Sequence, residues 1–235
     1  MKPTLLISNH MSAKVRKTLC MYYDLIELAD HKALPKPVAA HPDMQLIILD
    51  DTAVLTRSLY ELNTSLRKAV EDKYIVRFSE CEHSSAYPGD VSLNALKLDK
   101  HLICRADALD NAVKQICSEK GIEIVSVRQG YSRCSTLFLE DALITADKGI
   151  YETVVHLGYD ALLITPGHIL LEGYDYGFIG GASFYDKDRL QVFFFGDITK
   201  HPDFDSIEKI LSAHNLKAVS CSDEELTDLG GAVLI

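Results

Sequence analysis

The chain has 235 residues, 47% of them hydrophobic and 25% charged, the balance of a globular protein with apolar material for one core. Its net charge is −10 and its densest basic stretch is "KVRK"; because phosphate neutralisation supplies most non-specific nucleic-acid affinity, nucleic acid is not an expected partner. The longest apolar runs, "LQVFFFG" and "LLITPGHILL", are far shorter than the roughly 20 residues of a membrane helix, and no signal-peptide layout opens the sequence, so the expectation is one cytoplasmic domain over residues 1–235.

In chain order, the first predicted elements are a strand "TLLIS" (4–8), a helix starting near Ser12 in "SAKVRKTLC" and a strand "DLIELA" (24–29). Residues 46–61, "LIILDDTAVLTRSLYE", read as a hairpin turning at Asp50-Asp51 and running into a helix, with Leu59, Leu62, Leu66 and Val70 on its apolar stripe. A strand "YIVRF" (74–78) follows. The segment 94–127 repeats the plan: a strand pair meeting at Asp99-Lys100, a helix striped by Leu109, Ala112, Val113, Ile116 and Cys117 and ended by Gly121, then "IEIVSV". Residues 137–152, "LFLEDALITADKGIYE", give another hairpin and helix, followed by "ALLIT" (161–165). Residues 181–221 give the next, turning at Asp186-Lys187-Asp188, with Asp205 and Glu208 opening a helix and "KAVSC" returning.

Asp107, Asp147 and Asp197 stand at equivalent places in three of these units, 40 and 50 residues apart, within the range that signals a repeat architecture. Such recurrence favours a structural role, capping the helix or turn that follows each hairpin. Four units leave both ends of the chain over. If Gly231 to Ile235 of "GGAVLI" pairs with Thr4 to Ser8, the ends build a fifth unit and no sheet edge is left open. The predicted fold is therefore α/β, a five-fold pseudo-symmetric α/β propeller closed by its N- and C-terminal strands.

This layout resembles the pentein superfamily, the five-bladed α/β propellers that include arginine deiminases, dimethylarginine dimethylaminohydrolase and ribosome anti-association factors. "GYSRCSTLFLEDALITADKGI", "GHILLEGYDYGFIGGAS" and "LTDLGGAVLI" are similar to a family of small bacterial proteins within it that lacks an established activity. In the hydrolytic members a histidine and a C-terminal cysteine flank a guanidinium carbon. The resemblance implies that His168, in "ITPGHILLEG", is the equivalent acid/base, and that Gly230 and Gly231 stand where the nucleophile would be. Thiol-based hydrolysis of the usual kind has no sulfur at that place.

Six cysteines, at positions 20, 81, 104, 117, 134 and 221, form no C-x-x-C pair, and nine histidines fall in no tight ligand motif. No metal and no cofactor are expected from spacing. Cys134 reads two ways: a buried thiol beginning a strand, or a nucleophile activated by Arg133 or His168. Segments leading into the inner strands point toward a propeller axis, which makes Asp90, Asn94, Ser132 and Arg133 candidate ligand-binding residues. Glu172 lies four residues from His168, on the same face of a strand. Gly177, Gly180 and Gly181 with Ser183 either let strands crowd at the axis or present backbone N–H groups to a ligand. The functional expectation is a small polar ligand, amino-acid-like or guanidino-bearing, in the axial cavity. The alternatives are a divergent Cys134/His168 thiol hydrolase or transferase, and a ribosome- or protein-interaction factor.

Overall fold

A computed structural model describes residues 2–81 and 83–235. It contains five three-stranded sheets of one design. In the second unit, β3 (Leu46–Leu49) pairs antiparallel with β4 (Thr52–Leu55), which pairs parallel with β5 (Ile75–Phe78). The third repeats this with β6 (Leu96–Lys97), β7 (His101–Cys104) and β8 (Glu123–Ser126). The fourth uses β9 (Thr136–Phe138), β10 (Ala142–Thr145) and β11 (Asp160–Leu163). The fifth uses β12 (Ser183–Asp186), β13 (Gln191–Phe194) and β14 (Lys217–Ser220).

The remaining sheet is shared by the two ends of the chain. β1 (Thr4–Ser8) takes the middle place, parallel to β2 (Asp24–Leu28), and β15 (Val233–Leu234) lies antiparallel to it with Leu5 opposite Leu234 and Leu6 opposite Val233. The expected pairing of the termini is present, with β15 shorter than residues 231–235.

Each parallel connection carries a helix, as a parallel strand pair requires a crossover. α1 (Ala13–Leu19) is capped by the Ser12 hydroxyl, which accepts from the Val15 N–H, and a single-turn α2 (Pro42–Gln45) leads into β3. The predicted helix after β4 is broken in two, α3 (Arg57–Leu62) and α4 (Thr64–Lys73), because the Asn63 side chain accepts from the Leu66 N–H and starts a new helix. Leu59, Leu66 and Val70 are buried as the stripe implies, whereas Leu62 falls at the break and is 83% exposed. α5 (Asn111–Lys120) ends at Gly121, whose φ of +67° suits glycine. Its cap is Asp110, not Asp107: the Asp110 carboxylate accepts from Ala112, Glu80 and Cys81 N–H groups, while Asp107 binds the Arg105 guanidinium. Asp147 caps α6 (Lys148–His156), and Asp197 caps a short 3-10 turn ahead of α7 (Phe204–Ala213).

The hairpin strands carry the core, and the returning strands β5, β8, β11 and β14 are half-exposed. Apolar clusters join the sheets in succession. Leu6 and Leu28 pack with Ala53 and Leu55; Leu49 and Val54 with Leu102 and Val113; Ile103 with Leu143 and Val154; Ile144 with Phe194 and Ile207. Phe184, Phe193 and Phe195 of the fifth unit then pack against Leu5, Ile7 and Leu19 of the first. Phe193 sits at the centre of that cluster, stacked on Phe184 and edge-on to Tyr22 and Tyr23.

Candidate functional site

The edge strands β3, β6, β9, β12 and β15 are each preceded by a segment that holds its neighbour by a hydrogen bond. The Asn94 side chain donates to the Asp43 carbonyl (3.3 Å) and accepts from the Cys134 N–H (3.3 Å). The Gly181 N–H donates to the Cys134 carbonyl (2.9 Å), the Gly231 N–H to the Gly181 carbonyl (2.8 Å), and the Asp43 N–H to the Gly230 carbonyl (3.4 Å). Residues far apart in the sequence thus meet at one buried floor.

On that floor lie His41, Asp43, Cys134 and Asp228, all under 5% exposed. The Cys134 thiol donates to Asp43 Oδ2 at 2.8 Å, and Asn94 Nδ2 donates to Cys134 Sγ at 3.0 Å. Asn94 Oδ1 also accepts from the Arg133 N–H at 2.9 Å. Asp228 Oδ1 accepts from the Gly230 N–H and Oδ2 from the Phe178 N–H. His41 Nδ1 is 3.8 Å from Asp228 Oδ1, too far for a hydrogen bond. Neither ring nitrogen of His41, nor Asp43 Oδ1, has a hydrogen-bond partner among the described residues.

Burial governs the protonation of these groups. It pushes the Asp43 carboxyl up to about 7, helped by the neighbouring Asp228 charge, and the Asp228 carboxyl up to about 6. It lowers His41 to about 3, with His10 adding to the effect. Burial and the adjacent Asp43 raise the Cys134 thiol well above its ordinary value. A thiol nucleophile needs the opposite shift, so the floor holds Cys134 as a hydrogen-bonding thiol.

A cavity of about 240 Å³ opens onto this floor, with His41, Cys134 and Asp228 at its base and Tyr131, Tyr174, Tyr176 and Phe178 among its walls. Asp175 also lines it, and no lysine or arginine does among the described residues. Asp43, Arg133 and Gly230 line a second cavity of about 350 Å³.

The residues singled out in the sequence divide accordingly. Cys134, Asn94 and Arg133 come together at the floor. Asp90 is buried beside it and accepts from the Tyr131 hydroxyl at 2.5 Å, fixing one wall. Ser132 and Ser183 are buried, their hydroxyls donating to the carbonyls of Gln129 and Ile179. The N–H of Gly177 serves the Ile169 carbonyl, and that of Gly181 serves Cys134, so these amides hold the backbone together. Their glycines answer to close approach: a Cβ on Gly181 would stand 1.8 Å from Asp228 Oδ1, and one on Gly180 2.3 Å from the Thr136 carbonyl oxygen. His168 is not brought to Cys134. It is exposed and paired edge-on with the His201 ring at 5.6 Å, and Glu172 is exposed as well. Both follow β11 on a loop held to the protein by Leu170, which bridges to Thr227 and faces outward.

The histidine at the floor is instead His41. The sequence reading passed over it, together with Asp43 and Asp228. "AAHPDMQ" leads into β3 as "YPGDVSLNA" leads into β6, and that positional signal was available. Gly230 has a further significance. A Cβ there would lie 2.3 Å from the His41 Cβ, so the room a nucleophilic side chain would need is taken by His41.

This fold, five hairpin-and-return sheets with a buried polar floor, is pentein-like. Similar solved structures include a dimethylarginine dimethylaminohydrolase adduct with S-methyl-L-thiocitrulline (10% identity, TM-score 0.59, all of both chains) and the dimethylarginine dimethylaminohydrolase of Pseudomonas aeruginosa complexed with citrulline (9%, 0.61, all of both chains). Another is the inosamine-phosphate amidinotransferase of Streptomyces griseus (10%, 0.51, covering 92% of this chain and 75% of that one). At such identities the likeness is one of fold. Residues 6–233 match a family described as being of unknown function (DUF6873), and the chain belongs to it. No curated protein matches it in sequence. No helix among the described residues is long and apolar enough to cross a membrane.

Proposed function

We propose that the five sheets are blades around one axis and that the 240 Å³ cavity binds a small organic cation, amino-acid-like or guanidino-bearing. One observation carries this reading. The cavity is walled by aromatic rings and based on a carboxylate, Asp228, with no lysine or arginine lining it among the described residues, and burial keeps the His41 imidazole, which also lines it, neutral near pH 7. Aromatic faces and a carboxylate together favour a desolvated cation, and a planar guanidinium matches a carboxylate in two parallel hydrogen bonds. The cation would also draw the proton off Asp228, since a nearby positive charge favours the ionised carboxyl. The raised thiol of Cys134 and the glycine at position 230 favour binding over a thiolate attack of the deiminase type.

A thermal-shift panel of guanidino and amino compounds tests this. A ligand present at 100 times its Kd adds about 2.7 kcal/mol, which for a chain of this size raises Tm by roughly 5–10 °C. Asp228→Asn, which keeps the shape and removes the charge, should abolish that rise. His168→Ala should leave it intact, because His168 lies outside the cavity. A rise that survives Asp228→Asn, or no rise across the panel, would count against the reading.

A further inference from the structure

We infer that His41, Asp43 and Cys134 form a site for one zinc-like divalent transition-metal ion, with an open coordination position facing the aromatic-walled cavity. One potential ligand atom from each of the three lies within 4.8 Å of the others, and all three residues are buried. Nitrogen, oxygen and sulfur donors of this kind are those zinc accepts, at about 2.0–2.3 Å from the ion. Ligand atoms around such an ion stand roughly 3–4 Å apart by that geometry, so side-chain adjustments of about an ångström close the site.

Unsatisfied polar atoms point to the same place. A neutral imidazole carries one donor and one acceptor nitrogen, yet both nitrogens of His41 lack a partner among the described residues at 1% exposure. Asp43 Oδ1 is likewise unpartnered. The large majority of buried polar side-chain atoms in native proteins are satisfied; here three unpartnered atoms fall on two residues two apart in sequence, and one ion would engage both residues at once. Asp43 Oδ2 and Cys134 Sγ are joined by the thiol proton. The ion takes the place of that proton, which leaves to solvent, and the ligand becomes a thiolate.

The surroundings are those of a supported metal site. Metal-binding histidines donate their second ring nitrogen to a carboxylate or carbonyl that orients them, and Asp228 Oδ1 stands 3.8 Å from His41 Nδ1, one small ring movement from that role. The Asn94 amide already donates to Cys134 Sγ. Gly230 presses its backbone against His41, which restricts the ring. His41 and Cys134 line the cavity and Asp43 does not, so a fourth position directed into the cavity remains for water or a ligand donor. His41 and Asp43 are separated from Cys134 by about ninety residues, which is why no local spacing motif shows the set.

Cobalt(II) titration of chelator-stripped protein tests the assignment. The expected result is saturation at one equivalent, with a thiolate-to-cobalt charge-transfer band in the near ultraviolet and intense visible bands of four-coordinate cobalt, both bleached by zinc. Cys134→Ser should remove the charge-transfer band, and Asp43→Asn should weaken binding at least tenfold. Asp228→Asn, acting through His41, should weaken it about 10- to 100-fold while keeping the band. The Cys20→Ser/Cys81→Ser double variant, which removes the two thiols that are not buried, should titrate as the unaltered protein does. Should Cys134→Ser fail to fold, the Asp43→Asn affinity decides. No saturable thiolate band, a band that survives in folded Cys134→Ser, an unchanged affinity in Asp43→Asn, or a band lost in the double variant overturns the proposal. The assignment does not rest on the organic-cation reading, and because no organic cation is present in the titration, either can fail without the other.

Discussion

Asn94→Ala is expected to lower the unfolding free energy by about 3–5 kcal/mol, with a fall in Tm of roughly 10 °C. The Asn94 carboxamide oxygen accepts from the N–H groups of Arg133 and Cys134, and its nitrogen reaches the Asp43 carbonyl and Cys134 Sγ. Alanine leaves two backbone donors and one carbonyl without this partner around a side chain that is 1% exposed. A buried group stripped of its partner costs about 1–3 kcal/mol, and a typical domain has only about 5–15 kcal/mol in hand. Urea unfolding provides the measurement: the midpoint should fall while the slope stays constant. A change within about 0.5 kcal/mol, the range of an unremarkable surface substitution, would show that Asn94 does not join the third and fourth units as described.

Gly180→Ala should destabilise by about 3 kcal/mol or more, at the upper end of what overpacking does. The added methyl would meet the Thr136 carbonyl oxygen at 2.3 Å and the Arg133 carbonyl oxygen at 2.5 Å. Both are main-chain atoms, so no side-chain rotation relieves the clash, and β9 would have to move away from the segment leading into β12. Gly121→Ala is the control. Its Cβ would meet nothing within 4 Å, so its cost is only the left-handed backbone, about 1–2 kcal/mol. Equal losses in the two variants, by the same urea assay, would remove the close approach of the fourth and fifth units at Gly180.

Much of the architecture was legible because it is written in local pattern. Apolar runs, acidic hairpin tips and amphipathic helices recur along the chain; Asp50 adopts the positive φ of a tight turn at the expected tip, and Glu140 does the same between β9 and β10. The pairing of the termini followed from asking what would otherwise cover two leftover strands. Errors arose where one side chain changes the local outcome. Asn63 divides a helix that the apolar stripe alone reads as continuous, and Asp110 takes the capping role that equivalence gave to Asp107.

The site was half legible. Asn94 and Cys134 were reached from the idea that segments leading into inner strands converge. The same idea applied to the second unit yields His41 and Asp43. His168 drew attention instead through family resemblance in its flanking residues, and resemblance in a loop does not fix where that loop points. Asp228 stands beside the glycines whose missing side chain held the eye. Its importance comes from burial and from the two N–H groups it accepts, properties that no linear pattern encodes.

The sharing of one sheet between β1 and β15 has a consequence for how the protein is made. During synthesis the first strand leaves the ribosome early, and its antiparallel neighbour, Val233–Leu234, comes more than 220 residues later. Until then Leu5 and Leu6 lack that edge, and Asp228 and Gly230 are not there to close the base around His41. The middle units carry their own hairpin, helix and return strand, but the polar centre cannot close before Asp228 and Gly230 have joined it.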